Sequence, residues 1–509
     1  MTLRTHQDQA RSIALRIRSG EKIKFILMSV TPGGGKSGIP PIFAEILIPD
    51  IVDSLLWVVP RKSLQSQGEG EFLEPMWGTN HRIRMADNSS EDICRGLSGY
   101  ITTYQGIASR PWLHIEEFKK KKYIIFLDEE HHVGEDPGSM VWADSLKPLI
   151  EMAVIVVFMS GTLARGDGKP IAFLPYENGV VKVPNDWERI DYTRSQAIKE
   201  GAILPVYFKT FDAHAKWKDK EGNTLKAKTL KISKKANEAL FSALSTEFAF
   251  EIIESTIDHW LDYKKNVFNR AKLLIVAPNI NLANKYHRYL KSRGYESLIA
   301  TSEDDKEAEE NIKRFKGIRE PEIDILDTVA MAYEGLSVKP ATHIACLTHI
   351  RSIPWLEQLF ARVNRLDDGK TCGWVFGPMD KNFEDAIISI EKEQQLAIEM
   401  KEKREREGSG GLSERKEIIP LQSGAIGVNI QDVINQELPM SPSEEEEFLK
   451  KEIEDHISKY VKGKRYDKRH VNKSIKNIFG KSRTEMTIPE LKDVLGYLRN
   501  IYHIKENLS

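Results

Sequence analysis

The chain has 509 residues, with 74 lysines and arginines against 75 aspartates and glutamates and a formal net charge of -1 at pH 7. That length exceeds one compact core and implies about two to four domains of roughly 100–200 residues each, while the even charge balance confines any nucleic-acid surface to a local patch. Hydrophobic residues make up 40% and charged residues 29%, ordinary for a globular protein, and apolar runs such as 154–158 fall far short of the roughly 20 residues that span a bilayer, so no membrane partner is expected.

Residues 1–10 contain no basic patch leading into an apolar core, so neither a secretory signal nor a transit peptide is expected and a cytoplasmic location follows. Cys94, Cys346 and Cys372 lack CxxC or Cys/His spacing, which argues for small buried side chains rather than a disulfide framework or a zinc site. Almost continuously apolar runs at 25–30, 54–59, 123–127 and 154–158 alternate with helix-favouring stretches. Runs of this kind form parallel strands covered on both faces, and parallel sheets bind ligands at the carboxyl ends of their strands.

A second series follows at 272–277, 297–300, 323–326, 343–347 and 373–376. The predicted fold class is therefore α/β: two tandem parallel-sheet domains and a mostly helical carboxy-terminal domain. Between the two series, 216–235 is polar and lysine-rich and reads as a surface excursion, and 236–263 reads as one amphipathic helix or two. The expected domains are 1–205, 206–395 including that insertion, a charged helix end and Gly/Ser-rich linker over 396–411, and a helical unit over 412–509.

Directly after the first strand comes Thr31-Pro32-Gly33-Gly34-Gly35-Lys36-Ser37. Glycines let backbone N–H groups close on phosphates, Lys36 can reach the β and γ phosphates, and the Ser37 hydroxyl can bind magnesium. Val30 replaces the first glycine of the general pattern. The strand ending at Leu127 delivers Asp128-Glu129-Glu130-His131, where Asp128 would hold the metal and Glu129 would orient or deprotonate a water.

These two segments resemble the first and second motifs of superfamily 2 helicases and translocases, in the DExH branch. The resemblance covers roughly 3–376 and implies two tandem RecA-like domains with ATP and Mg2+ bound between them. Ser160-Gly161-Thr162 is similar to the third motif, which links ATP state to nucleic-acid grip. Arg4-Thr5-His6-Gln7 resembles the adenine-reading element, with Gln7 on the base edges and Arg4 in support. Pro60-Arg61-Lys62 and Thr102-Thr103-Tyr104-Gln105 stand where the family tracks a phosphate backbone, and Arg61, Thr102, Thr103 and Gln105 are the candidate contacts.

Val276-Ala277-Pro278 and Ala300-Thr301-Ser302 would be the second domain's equivalents. Ala330 to Gly335 resembles the fifth motif, with Gly335 at its coupling turn and Ser337 where an acid is frequent. Gln358-Leu-Phe-Ala-Arg362-Val-Asn-Arg365 resembles the sixth. Spacings of four and three would put Gln358, Arg362 and Arg365 on one helical face, with both arginines reaching the γ-phosphate. The pattern from 192 to 205 resembles the branch of restriction-enzyme motor subunits and phage or repair helicases.

The stretch 459–483 is dense in cations, among them Lys464, Arg465, Lys468 and Arg469, with interleaved aromatics. This combination suits backbone tracking and base stacking. An acidic run, 444–447, precedes it, and 485–498 reads as a capped amphipathic helix. The expected activity is an ATP-dependent DNA helicase acting on single-strand or forked DNA, with RNA as a further possible partner and a protein partner able to dock on the carboxy-terminal domain. A double-strand DNA translocase motor and an ATP-switched remodeller remain open alternatives.

Overall fold

The computed structural model describes residues 3–86, 92–134, 140–161, 163, 169–218, 223–231, 236–301, 305–329, 336, 338–408, 442–461 and 468–502. The amino-terminal part runs α1 (Thr5–Arg18), β1 (Phe25–Val30), α2 (Ile39–Leu47), β2 (Ser54–Val59), α3 (Lys62–Glu71), β3 (Ile83–Met85), β4 (Gly99–Thr103), α4 (Tyr104–Ser109), α5 (Pro111–Lys120), β5 (Tyr123–Asp128), α6 (Met140–Met152) and β6 (Ile155–Ser160). A small hairpin, β7 (Tyr176–Glu177) and β8 (Val180–Val181), then leads to β9 (Trp187–Tyr192) and α7 (Arg194–Lys199).

Among the described residues, seven of these strands form one sheet in the order β3-β4-β2-β5-β6-β1-β9, with every neighbouring pair parallel. Strands β2, β5 and β6 are buried along their whole length, because helices pack on both faces and separate two apolar layers. Each fully buried Val, Leu, Ile or Phe contributes roughly 1.5–3 kcal/mol, which is why these runs read as continuously apolar rather than alternating.

The second part holds β10 (Val206–Phe211), an antiparallel hairpin of β11 (Ala215–Lys218) and β12 (Thr224–Ala227), α8 (Ala236–Leu244), α9 (Glu247–Asn266), β13 (Lys272–Val276), α10 (Ile280–Ser292), β14 (Leu298–Ala300), α11 (Asp305–Phe315), β15 (Ile325–Thr328), β16 (Ala341–Cys346), α12 (Ile353–Phe360), β17 (Gly373–Pro378) and α13 (Lys381–Gly408). Its sheet runs β10-β17-β16-β13-β15-β14, again parallel throughout. The polar excursion is thus the β11-β12 hairpin, and the amphipathic stretch is two helices.

The two sheets meet through specific groups. Arg194 on α7 is buried and faces Glu357 and Glu393, while α7 packs on α13. Within the second part, the Gln394 side chain of α13 donates to and accepts from the Val206 peptide of β10 at 2.9 and 2.8 Å. The Leu204 N–H donates to the Asn364 carbonyl at 2.7 Å.

The carboxy-terminal unit is α14 (Pro442–Val461), α15 (Lys468–Phe479) and α16 (Ile488–Ile501) around its own core of Ile453, Ile457, Val471, Leu491, Val494 and Leu498. The Thr487 hydroxyl and the Glu490 side chain cap α16 reciprocally, the arrangement that fixes a helix start. Among the described residues no helix is long and apolar enough to cross a membrane, and no group of His, Cys, Asp or Glu is placed to hold a metal ion by itself. All three cysteines are buried and free.

Candidate active site

The loop after β1 is shaped by two glycines with positive φ, Gly33 at 84° and Gly35 at 90°, a region that side-chain-bearing residues rarely occupy. Added bulk is excluded as well, since a Cβ on Gly33 would come within 2.7 Å of Asn364 Oδ1. The Gly34 N–H donates to the Thr31 carbonyl at 2.8 Å, and the chain then enters a 3-10 turn over Lys36–Gly38 that runs into α2. Pro40 and Pro41 sit in its first turn, where no N–H is required of them. The result is a glycine turn opening onto a helix amino terminus, a built anion cradle.

Arg4 and Gln7 brace this loop from α1. The Arg4 guanidinium donates to the Gly34 carbonyl at 2.5 Å and the Gln7 amide donates to the Gly35 carbonyl at 2.9 Å. Gln7 also accepts from the Arg4 N–H at 3.0 Å, which ties down the first turn of α1.

Lys36 lies against the acids at the end of β5, 3.1 Å from Asp128 and hydrogen-bonded to Glu129. Burial works against the Lys36 charge, but Asp128 and Glu129 together hold its ammonium above the ordinary lysine range. Burial pushes the Asp128 carboxyl up; Glu129 faces the same burial, yet Lys36 and His131 hold it down. Glu129 therefore stays ionised, as a water-orienting base requires. Glu130 is buried, and that burial drives its carboxyl well above the usual range.

Glu129 adopts φ 53° and ψ 49°, a left-handed conformation uncommon for a residue with a side chain. Its N–H donates to the Met159 carbonyl at 2.7 Å, and its carboxylate accepts from the Gly161 N–H at 3.3 Å. His131 Nδ1 is 3.0 Å from the Ser160 hydroxyl. The acidic motif is thus bonded directly to Ser160 and Gly161; Thr162 lies outside the described residues.

From the second sheet, Gln358, Arg362 and Arg365 line the same cavity as Arg4, Gln7, Pro32, Gly33, Gly35, Lys36, Ser37, Asp128 and Glu129. Its volume is about 400 Å³, within the range of small-molecule sites. The expected single helical face needs correction, because α12 ends at Phe360. Beyond it the Arg362 and Val363 N–H groups donate to the Leu359 and Phe360 carbonyls, i to i−3 bonds of a tightened turn. The completely buried Val363 and Asn364 plug this turn into the core and the domain junction, and the turn still delivers both arginines to the cleft.

Arg362 donates to the Leu336 carbonyl at 3.1 Å. Burial, then the neighbouring Arg362, push the Arg365 guanidinium down, with Glu71 opposing them. Its charge is therefore held at a cost that an incoming anion relieves. The Gln358 amide nitrogen has no hydrogen-bond partner among the described residues, a donor aimed where a ligand is expected.

The nucleic-acid candidates fare unevenly. Thr102 and Thr103 are buried, and the Thr103 hydroxyl caps α4 by accepting from the Gly106 N–H at 2.9 Å. Gln105 is exposed but accepts from Trp142 at 3.2 Å; Arg61 is half-buried at the start of α3. In the carboxy-terminal unit Arg469 is exposed, whereas Lys468 is ion-paired to Glu454 at 2.7 Å. Gly335, Lys464 and Arg465 lie outside the described residues.

Residues that were not among the sequence candidates also line or support the site. Glu71, Met76, Trp77, Trp57 and Lys339 line the cavity, and Asn364 donates to the Pro32 carbonyl at 3.3 Å. Tyr104, buried under the cleft, donates to the Asp128 carbonyl at 2.9 Å. The segments of Glu71, Met76, Trp77, Trp57 and Lys339 are ordinary in sequence, whereas Asn364 and Tyr104 lie inside motif-like segments without being candidate contacts.

Residues 1–165 match the family described as type III restriction enzyme, res subunit. An uncharacterized protein of Mycobacterium tuberculosis is 28% identical over 219 residues, 41% of this chain and 34% of that protein. One from Mycobacterium leprae is 25% identical over 203 residues, 38% and 32% of the two chains. The chain thus spans about a third of the length of these curated relatives. A DNA-bound ATP-dependent Type ISP restriction-modification enzyme, LlaBIII, shares the fold with a TM-score of 0.51 at 14% identity, over 77% of this chain and 30% of that one. The likeness to superfamily 2 helicases and translocases read from the motifs holds, carried by the family match over residues 1–165 and accompanied by the parallel two-sheet fold.

Proposed function

We propose that this chain hydrolyses ATP in the cleft between its two parallel sheets and uses the cycle to move along and unwind DNA. One observation carries the reading: Lys36, Asp128 and Glu129 from the first sheet and Gln358, Arg362 and Arg365 from the second line one cavity. The positive-φ glycine turn, the Gln358 amide nitrogen without a partner among the described residues and the half-buried arginines fit a polyphosphate, and the Ser37 hydroxyl and Asp128 carboxylate, which line the same cavity, fit magnesium. When bound, magnesium would be held by Ser37 and Asp128 and would neutralise phosphate charge.

As phosphates enter, Lys36 exchanges Asp128 and Glu129 for phosphate oxygens, which frees Glu129 to orient the attacking water. Arg362 and Arg365 close on the γ-phosphate and stabilise the transition-state charge. Loss of that phosphate releases the second sheet from the first. The bonds of Glu129 and His131 to Gly161 and Ser160 supply a path from the phosphate to the nucleic-acid side.

The match to a restriction res subunit supports a second reading, a double-strand DNA translocase that drives a separate nuclease or modification partner. Unwinding of a duplex with a 3′ or 5′ overhang distinguishes the two. Strand separation that requires ATP supports the helicase, triplex displacement without strand separation supports the translocase, and inertness toward both overturns the motor reading.

A further inference from the structure

Asn364 stands between the two arginines of the second sheet, in the tightened turn that follows α12. It is completely buried, yet its bonds reach outside its own sheet. The amide nitrogen donates to the Pro32 carbonyl of the P-loop at 3.3 Å, and the amide lies so close to Gly33 that a Cβ there would come within 3.4 Å of its Cγ. The Asn364 backbone carbonyl accepts the Leu204 N–H at 2.7 Å, in the stretch that joins α7 to β10. One residue thus touches the P-loop and the connector between the sheets while belonging to the turn that carries Arg362 and Arg365.

Its neighbour in the turn is held from the other side. Val363 packs in the core of the second sheet, and its carbonyl lies so near Gly373, at the start of β17, that a Cβ on that glycine would approach it to 2.5 Å. Val363 is therefore anchored in one sheet and Asn364 against the other, and the arginines on either side of this pair both line the nucleotide cavity. The Asn364 Oδ1 atom has no hydrogen-bond partner among the described residues. A buried amide that satisfies only its donor costs stability. A small apolar side chain would fill the turn without that cost, so the bond to the P-loop, rather than core packing, accounts for an asparagine here.

We propose that Asn364 is a positioning residue for phosphoryl transfer: by clamping the arginine turn onto the P-loop it sets the reach of Arg362 and Arg365 into the cleft, and it passes a shift of the loop directly to the second sheet. The proposal rests on the nucleotide-site reading above. Asn364 itself is not among the residues that line the cavity, so it acts through the arginines rather than on the phosphates. A group misplaced by about 1 Å from its position in the transition state can cost roughly 10²-fold in rate.

The test measures ATP hydrolysis and ADP affinity in the full-length protein for wild type, Lys36→Ala, Asn364→Ala, Asn364→Asp, Arg365→Ala and the double variant Asn364→Ala/Arg365→Ala. Asn364→Ala is expected to lower kcat by roughly 10–100-fold, while KM and ADP affinity stay within about threefold of wild type. Asn364→Asp keeps the shape but sets an acceptor against the Pro32 carbonyl, and is expected to be at least as slow. Because Asn364 acts through the arginines, adding Asn364→Ala to Arg365→Ala should cost far less than it does in the wild-type background. A wild-type kcat in either Asn364 variant, a loss that multiplies fully onto Arg365→Ala, or the loss of ADP binding that misfolding would give, overturns the proposal. If Lys36→Ala and Arg365→Ala hydrolyse ATP like the wild type, the nucleotide-site reading itself fails; defects in both beside an unaffected Asn364→Ala refute only the role of Asn364.

Discussion

On the proposed reading Lys36 cannot serve the phosphates and the two acids of β5 at once, and that competition would organise the site. In the structure its ammonium neutralises Asp128 and Glu129; turnover requires it to leave them. Lys36→Ala removes both the phosphate ligand and the counter-ion of a buried acid pair, and steady-state ATP hydrolysis is expected to fall by roughly 10²–10³-fold or more. Glu129→Gln keeps the shape and the bond from Gly161, so nucleotide affinity should persist while hydrolysis stops, a split read by pairing binding with single-turnover kinetics. Arg365→Ala removes a half-buried cation that the proposed reading places on the γ-phosphate, and a loss of roughly 10³–10⁵ in turnover is expected with nucleotide affinity changed far less. Full activity in any of the three would break the assignment of that residue.

At the scale of elements, the proposed coupling between ATP and nucleic acid would run through β5 and α4. Strand β5 carries Asp128, and the Tyr104 hydroxyl at the start of α4 holds its carbonyl, just after the Thr102-Thr103 pair of the expected strand-tracking loop. Tyr104→Phe removes one buried hydrogen bond, about 1 kcal/mol of stability. It is expected to lower the ratio of nucleic-acid-stimulated to basal ATPase more than the basal rate; an unchanged ratio would dissociate that loop from the site.

The same scale shows what the sequence made legible. Buried strands such as β2, β5 and β13 were readable because burial on both faces leaves an uninterrupted apolar run. Strands β3 and β9 were not, since they are edge strands whose polar positions include Arg84, Glu188 and Asp191. The P-loop and the Asp128-Glu129 pair were readable because their chemistry fixes residue type and spacing over a short segment. Glu71 and Trp77 were not, because only the folded sheet brings them to the cleft, and the segment that holds Tyr104 gave no sign that its hydroxyl supports Asp128. The helical spacing of Gln358, Arg362 and Arg365 pointed to the right residues through the wrong geometry, as the tertiary pull on Val363 and Asn364 ends α12 early.

For the whole molecule, the carboxy-terminal unit is not an appended tail. Glu446, from the acidic run, enters a buried junction where it pairs with Arg84 at 3.1 Å and with Arg95 at 2.5 Å. Arg95 also donates to the Thr484 carbonyl at 2.8 Å and holds φ 45°, a strained position for an arginine. Removing the unit would uncover these arginines, so truncation of 412–509 conflates docking with nucleic-acid binding.

Point changes separate the two. Glu446→Ala leaves two buried cations without their shared acid and is expected to cost roughly 3–5 kcal/mol, read as early proteolysis or hydrogen exchange at the junction. Charge removal at the exposed Arg469, Lys473 and Lys476 should leave stability unchanged. It should weaken DNA affinity and flatten its salt dependence by about 0.7–0.9 for each phosphate that is no longer neutralised. Unaltered affinity would assign that face to a protein partner.

The most direct test is the steady-state ATPase rate of the full-length chain with no nucleic acid and with single-stranded DNA, duplex DNA, forked DNA and RNA, run beside Arg365→Ala. A split site that drives movement predicts hydrolysis stimulated by DNA and abolished by the substitution in the second sheet. Turnover indifferent to every nucleic acid, or undiminished without Arg365, would contradict it.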